Sequence, residues 1–479
     1  MPFYTWLKPK QSDSPRTLAS KRRAAHKLKA LKAALETHFA EAKCMLEGAQ
    51  PPADSKQVVR IATWNIREFE SNKYGRRLFE SKAYMAEILS HFDLIAIQEV
   101  RQDLGPFKQV VRLLGPDWGF IATDVTEGSG GNSERMVFLF NRQKVYFNDV
   151  AGELTLPNGQ KVTDPFGERF RLDDGVKLEL PEGTNITTPD DLPHKEANGK
   201  TKLKKEQEVE LPPGTKMELP AGAYLRFAPN SVVTLNDQGG VNLGEGRERH
   251  LPEHTEVVLP PKSVVGGPQQ FSRTPFIASF QAGWLKLNLA TVHIYYGKGE
   301  TGLTRRKEEI RRLTKMLANR AKSDKDSDAE SYFIALGDFN IVSRDHDTMD
   351  ALNTNDFMVP EALQSLPGSN VDKSKWYDQI AVWMGESTRT ANYTRVMAYR
   401  AGVFDFFETV FTEEERDEYA PLMRKTDSEE LYSKSSYKNW RTFQMSDHLP
   451  MWVELHIDFS KEYLEDVERD LGAIIEGDG

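Results

Sequence analysis

The chain of 479 residues has a single cysteine, Cys44, so no intramolecular disulfide can form. Long apolar runs are missing too: none reaches the length that spans a bilayer. The sequence begins Met1-Pro2-Phe3-Tyr4-Thr5-Trp6 and turns basic, without the apolar stretch or small-residue cleavage site of a secretory signal. Together these absences lead us to expect a cytoplasmic protein. Soft metal ligands are scarce, with one cysteine and no close histidine pair, which argues against a zinc site.

Charge is present but uneven. The net charge is −9, yet residues 1–32 carry nine Lys or Arg (Lys8, Lys10, Arg16, Lys21, Arg22, Arg23, Lys27, Lys29, Lys32) against one acid, Asp13. That segment has a surplus of eight, so the remainder carries seventeen net negative charges. Such an arm either meets phosphates or docks on the protein's own acidic surface, and we favour docking.

Leu28, Leu31, Leu35, Phe39 and Met45 recur at helical spacing over 20–46, and Pro51-Pro52 ends that helix. Strand patterns follow at 58–64 and 94–97, with a helix at 82–90 between them, an order that indicates an α/β sandwich. Further strands are expected at 136–140, 276–280, 285–292, 332–336, 379–383 and 451–456. Charged helices are expected at 304–322, with a solvated basic face, and at 462–470. Between 151 and 268 helical periodicity vanishes and Leu-Pro recurs at Leu180, Leu211, Leu219, Leu251 and Leu259, predicting a small β-rich module. The expected domains are a basic helical arm (1–56), a catalytic domain (57–150 and 269–460), the inserted module (151–268) and an acidic tail (461–479).

Four apolar strands end in polar residues: Gln98-Glu99, His293, Gly337-Asp338-Phe339-Asn340, and Ser446-Asp447-His448 ahead of the last strand. Four such ends in one chain imply one polar site. Phosphoester hydrolysis needs a cation where negative charge builds, and Glu99, Asn65 and Asp447 offer the hard oxygens that Mg²⁺ or Mn²⁺ prefers. The attacking water must be oriented and deprotonated, work suited to Asp338 beside Asn340, with Asn340 also holding a phosphate oxygen. Trp64, Phe69 and Trp452 are read as core.

Trp64-Asn65-Ile66, Gln98-Glu99, Glu134-Arg135, His293, the Asp338 block, Tyr377-Asp378 and the Asp447-His448 block follow in the order of the endonuclease/exonuclease/phosphatase superfamily. WNIREF at 64–69, DLIAIQEVR at 93–101 and ERMVFLFNRQKV at 134–145 resemble pancreatic deoxyribonuclease nearly residue by residue. DHLPMWVE at 447–454 is more similar to bacterial members. The resemblance covers 58–459 without the β-rich segment. It implies a four-layered α/β sandwich, two packed mixed β-sheets flanked by helices.

By that resemblance His448 stabilises the scissile phosphate with Asp378 behind its imidazole, Glu134 orients His293, and Arg101 and Arg273 grip the nucleic-acid backbone. Either Asp338 or His293 activates the water. Asn132 stands where the pancreatic enzyme has a tyrosine that stacks in the minor groove, so that contact is not implied. The expectation is a divalent-metal-dependent endonuclease whose partner is DNA, with the 151–268 insertion as a candidate protein-binding surface. The rivals are a lipid or inositol phosphate phosphodiesterase, and a silent nucleic-acid-binding protein on the same fold.

Overall fold

The computed structural model describes residues 2–42, 55–70, 76–125, 134–154, 271–297, 299–323, 331–384, 400–423, 437–458 and 460–477, with eleven short strands between 170 and 258. The chain divides into two compact units, Met1–Leu154 with Ser272–Gly479, and Thr155–Phe271. Among the described residues no helix is long and apolar enough to cross a membrane.

The larger unit contains two mixed six-stranded sheets. The first takes β1 (Val58–Phe69), β2 (Leu94–Arg101), β3 (Trp118–Ala122), β4 (Glu134–Asn141), β11 (Arg400–Val403) and β12 (Met451–His456) in the order β11-β12-β1-β2-β4-β3. The second takes β5 (Tyr146–Glu153), β6 (Phe276–Ala282), β7 (Leu285–His293), β8 (Ser331–Ile341), β9 (Phe357–Met358) and β10 (Trp376–Trp383) in the order β9-β10-β8-β7-β6-β5. β1 with β2 and β7 with β8 are parallel; the other neighbours are antiparallel. These central strands are buried almost throughout, as strands covered on both faces must be.

Alternation along each strand then sorts the side chains. On β1, Ala62, Trp64 and Ile66 turn toward the helical layer, as do Ile95 and Ile97 on β2 and Val137 and Leu139 on β4. The opposite faces meet the second sheet: the Phe138 ring lies 5.4 Å from that of Phe276 and 5.5 Å from that of Phe280. Gln98 joins the sheets through polar contacts, donating to Thr63 and Thr291 at 3.1 and 2.9 Å. Trp64, Phe69 and Trp452 are fully buried core residues.

The helices α1 (Pro15–Glu41), α2 (Phe79–Leu89) and α3 (Gly105–Leu114) cover the first sheet. Ser14 caps α1 and Pro15 begins it, the preferred residue types for those positions. Its Leu28, Leu31, Leu35 and Phe39 join the same core as Tyr84, Phe92 and Trp452. Some of its basic side chains are spent at home: Arg23 pairs with Glu80 at 2.6 Å and Lys27 with Glu415 at 2.8 Å. Residues 15–41 are thus part of the larger unit's core rather than a separate arm.

The expected strands are present but run further. β1 continues through Asn65 to Phe69, β2 to Arg101, and β8 to Ile341. The physical reason is that the ladders do not stop at the polar residues but shift there, between Asn65 and Phe69, Ile97 and Val100, and Asp338 and Ile341. The boundary expected at Ala151 falls inside β5, whose residues through Glu153 pair with β6.

The smaller unit holds a seven-stranded and a four-stranded sheet. Leu180 ends the strand Lys177–Leu180, and the strands Gln207–Glu210, Lys216–Glu218, Glu248–His250 and Glu256–Val258 each stop one residue before a Leu-Pro. Proline lacks the N–H that a further ladder rung needs. Leu211, Leu219, Leu251 and Leu259 themselves, like Asn132, lie outside the described residues.

Candidate active site

The polar residues meet at the ends of β1, β2, β4, β7, β8 and β10. Asn65 lies on the inner face of β1 and donates its amide N–H groups to Glu99 Oε1 at 2.9 Å and Asp338 Oδ2 at 3.1 Å. Strict alternation would send Glu99 outward with Ile97. Its φ of 63° and the ladder shift instead turn it toward Asn65, where its other oxygen accepts from the Glu68 backbone N–H at 2.6 Å. The end of β1 offering that N–H is held by Arg77, which donates to the carbonyls of Ile66 and Arg67 at 3.0 and 2.6 Å. Burial lowers the Arg77 guanidinium to about 10.

Each histidine is backed by a carboxylate. His293 Nδ1 lies 3.0 Å from Glu134 Oε2, and His448 Nδ1 lies 2.8 Å from Asp378 Oδ2. This leaves both Nε2 atoms facing Asp338 Oδ2, at 3.5 Å from His293 and 3.8 Å from His448, with His293 Nε2 also 3.8 Å from Glu99. The pairs are reinforced from behind. Ser369 donates its hydroxyl to Asp378 at 2.7 Å and accepts the Asp378 N–H, while Arg273 donates to Glu134 at 2.8 and 3.4 Å. Ser446 bridges the other side, donating to the Asn65 carbonyl at 2.6 Å and accepting the His448 N–H at 3.0 Å.

The electrostatics follow from burial and these partners. Burial alone would raise the Glu134 carboxyl, but the hydrogen bond and charge of His293 and the charge of Arg273 hold it at about 2. Glu99 goes the other way. Its burial, with Glu134 and Asp447 nearby, raises it against the pull of His293 and Asn65. Asp338 is lowered despite burial, by the His448 and His293 charges and by N–H groups from Asn340 and Asn65. Burial opposes protonation of His448, yet Asp378 and Asp338 raise it well above the ordinary imidazole value; Glu134 and Asp338 raise His293 against burial and Arg273. Burial raises Asp378 itself.

Two backbone details hold Asp338 in place. Gly337 has a φ of 143°, and a Cβ there would lie 2.2 Å from the Val292 carbonyl oxygen, so only glycine lets β8 approach β7 this closely. Asn340 adopts a φ of 54°, donates its backbone N–H to Asp338 Oδ1 at 2.9 Å and one amide hydrogen to the Ile294 carbonyl at 2.8 Å.

Asn65, Glu99, Glu134, His293, Asp338, Asn340, Asp378 and His448 therefore converge. Asp447 is adjacent and partly exposed, with Arg67 Nε 3.4 Å from its carboxylate. Among the described residues the acids and histidines grouped with ligand atoms all within 4.8 Å of one another are Glu99, Glu134 and His293, a grouping that shares Glu99 with the expected ligand set but not Asp447. The two arginines expected on substrate are placed differently. Arg273 is buried against Glu134, which makes it an internal charge partner, and Arg101 lies 3.3 Å from Glu68.

Sequence reasoning missed Arg306, Ser369 and Arg77. The basic side chains of the helix α4 (Gly299–Ser323) were expected to be solvated, but Arg306 is 3% exposed. It donates to the carbonyls of Tyr295, Asn340 and Gly297 at 3.1, 2.6 and 3.3 Å. The signal was its spacing, four residues before Ile310 and in phase with Leu313 and Leu317 on the buried face.

Comparison with known proteins adds the following. The sequence model described as "Endonuclease/Exonuclease/phosphatase family" matches residues 62–400. No curated protein matches the chain significantly. Similar solved structures include a humanized D. rerio TDP2 carrying 14 mutations, at 12% identity over 84% of this chain and 99% of that one, with a TM-score of 0.38. A Bacteroides thetaiotaomicron mannosyl-6-phosphatase is similar at 14% identity over 83% and 99%, TM-score 0.36, and the human Nocturnin catalytic domain at 11% over 84% and 95%, TM-score 0.35.

Proposed function

Because the chain belongs to the endonuclease/exonuclease/phosphatase family and is a phosphoester hydrolase, we propose that it is a divalent-metal-dependent nuclease cleaving DNA. The observation that carries this reading is the convergence of two carboxylate-backed imidazoles and an asparagine amide on one oxygen of Asp338.

Glu99 fits a hard cation. Its half-buried carboxylate is crowded by Glu134 and Asp447, an excess of negative charge that a divalent ion relieves. The donor set suits Mg²⁺ or Mn²⁺, with Glu99 as the principal ligand and Asn65 and Asp447 completing the protein's share. When bound, such an ion would neutralise charge on the phosphate and leaving oxygens.

The side chains supply the rest. Asp338, fixed by the Asn340 and Asn65 N–H groups, takes the proton of the attacking water. His448, held through Nδ1 by Asp378, presents Nε2 to a phosphate oxygen, and His293 does the same with Glu134 behind it. Arg273 keeps the Glu134 carboxylate from rotating away. The fixed hydrogen bonds mean that little reorganisation accompanies the build-up of charge.

The test is a substrate panel with Mg²⁺ or Mn²⁺: single- and double-stranded DNA, RNA, and lipid and inositol phosphates. Cleavage of DNA is expected. Release of phosphate or headgroups from lipids with every nucleic acid left intact overturns the nuclease reading.

A further inference from the structure

The loop that leaves β7 immediately after His293 carries Tyr296, a large aromatic residue with 51% of its surface exposed. Its ring centroid lies 6.4 Å from that of Tyr377, nearly perpendicular, and Tyr377 lies 5.5 Å from the His448 ring at a tilt of 33°. Two tyrosine rings thus lead outward from the His448 imidazole to open solvent. Tyr296 is not a loose surface side chain. Arg306 lies over its ring at 5.1 Å and binds the carbonyls of Tyr295 and Gly297 on either side of it. The buried guanidinium covers one face of the ring and fixes the backbone that carries it.

A rigid, half-exposed aromatic ring on the rim of a site otherwise built from charged groups has lost its conformational entropy in advance, so a planar partner can stack on it at low cost. The groups attached to a DNA phosphodiester include such planar partners, the bases. In a duplex both faces of a base are covered by its neighbours, and stacking on a protein ring requires an unpaired base. We infer that Tyr296, backed by Arg306 and continued by Tyr377, forms a base-stacking subsite beside the catalytic centre, which makes single-stranded DNA the preferred substrate.

This inference rests on the nuclease reading for its substrate, but binding tests it separately from cleavage. The full chain in EDTA is titrated with fluorescently labelled oligothymidylate, with a strand of equal length whose sugars are abasic, and with a duplex. The wild type is expected to bind oligothymidylate roughly 10-fold more tightly than the abasic strand. Tyr296→Phe should keep that ratio, and Tyr296→Ala and Tyr296→Leu should bring it close to one. Equal affinity of the wild type for base-bearing and abasic strands, or an undiminished ratio in Tyr296→Ala, overturns the subsite. Cleavage of the same strands with Mg²⁺ separates the two proposals: binding with the base-dependent ratio but no cleavage removes the nuclease reading alone, whereas cleavage without a base-dependent ratio removes the subsite alone.

Discussion

Arg306 donates a 2.6 Å hydrogen bond from Nη1 to the backbone carbonyl of Asn340, joining a helix to the end of the strand that carries Asp338. Asn340 sits at a positive φ, a conformation that costs energy for any residue but glycine, and this bond helps to hold it there. Through the Asn340 N–H the same geometry reaches the Asp338 carboxylate.

Replacing Arg306 by lysine keeps the charge but loses the fork that reaches three carbonyls. We expect Arg306→Lys to lower kcat by roughly 100-fold, the cost of an angstrom-scale misplacement, with KM for an abasic phosphodiester strand little changed. Steady-state kinetics beside a thermal melt check this. A loss of stability with kcat intact would make the residue merely structural.

Asp378→Asn removes the carboxylate that orients and charges His448 while keeping its shape. The expected loss in kcat is roughly 10²- to 10⁴-fold, with the fold retained, because Ser369 still hydrogen-bonds the side chain. The rate at saturating substrate together with circular dichroism measures both parts.

At Gly337 a methyl group would meet the Val292 carbonyl oxygen at 2.2 Å, and the φ of 143° is already strained for any other residue. Gly337→Ala should cost on the order of 3 kcal/mol, read as a shift in the chemical denaturation midpoint at unchanged slope.

His38 on α1 accepts a hydrogen bond from Trp452 Nε1 at 3.0 Å, so it is neutral in the folded protein. Burial, with the Arg60 charge adding to it, lowers its pKa below the ordinary 6.5. A histidine depressed in this way stabilises the fold fully above its unfolded value, and that contribution is lost as pH falls through the folded one. Glutamine can accept the same bond but does not titrate. The stability of His38→Gln relative to wild type should therefore rise as pH falls from 7.5 to 5, measured by parallel denaturation curves at each pH. Parallel stabilities across that range would contradict the docking role assigned to His38.

The parts legible in the sequence were those set by local pattern. Apolar runs ending at Glu99, His293 and Asp338 marked the strands, and the spacing of Leu28, Leu31, Leu35 and Phe39 marked α1 and its buried face. What was not legible depends on residues far apart in the chain. The pairing of Arg273 with Glu134 spans 139 residues and gives Arg273 a charge partner that no local pattern announces. The fate of the basic residues of α1 depends on Glu80 and Glu415, and that of Arg306 on carbonyls contributed by two other segments. Strand ends were read too short because a positive φ at Glu99 or Asn340 has no apolar signature.

The most direct measurement is the rate at which purified protein converts supercoiled plasmid DNA to the nicked form. With Mg²⁺ or Mn²⁺ the wild type should nick, EDTA should stop it, and Asp338→Asn or His448→Ala should reduce the rate by roughly 10²-fold or more. Nicking that persists in EDTA, or that survives both substitutions, would contradict the account.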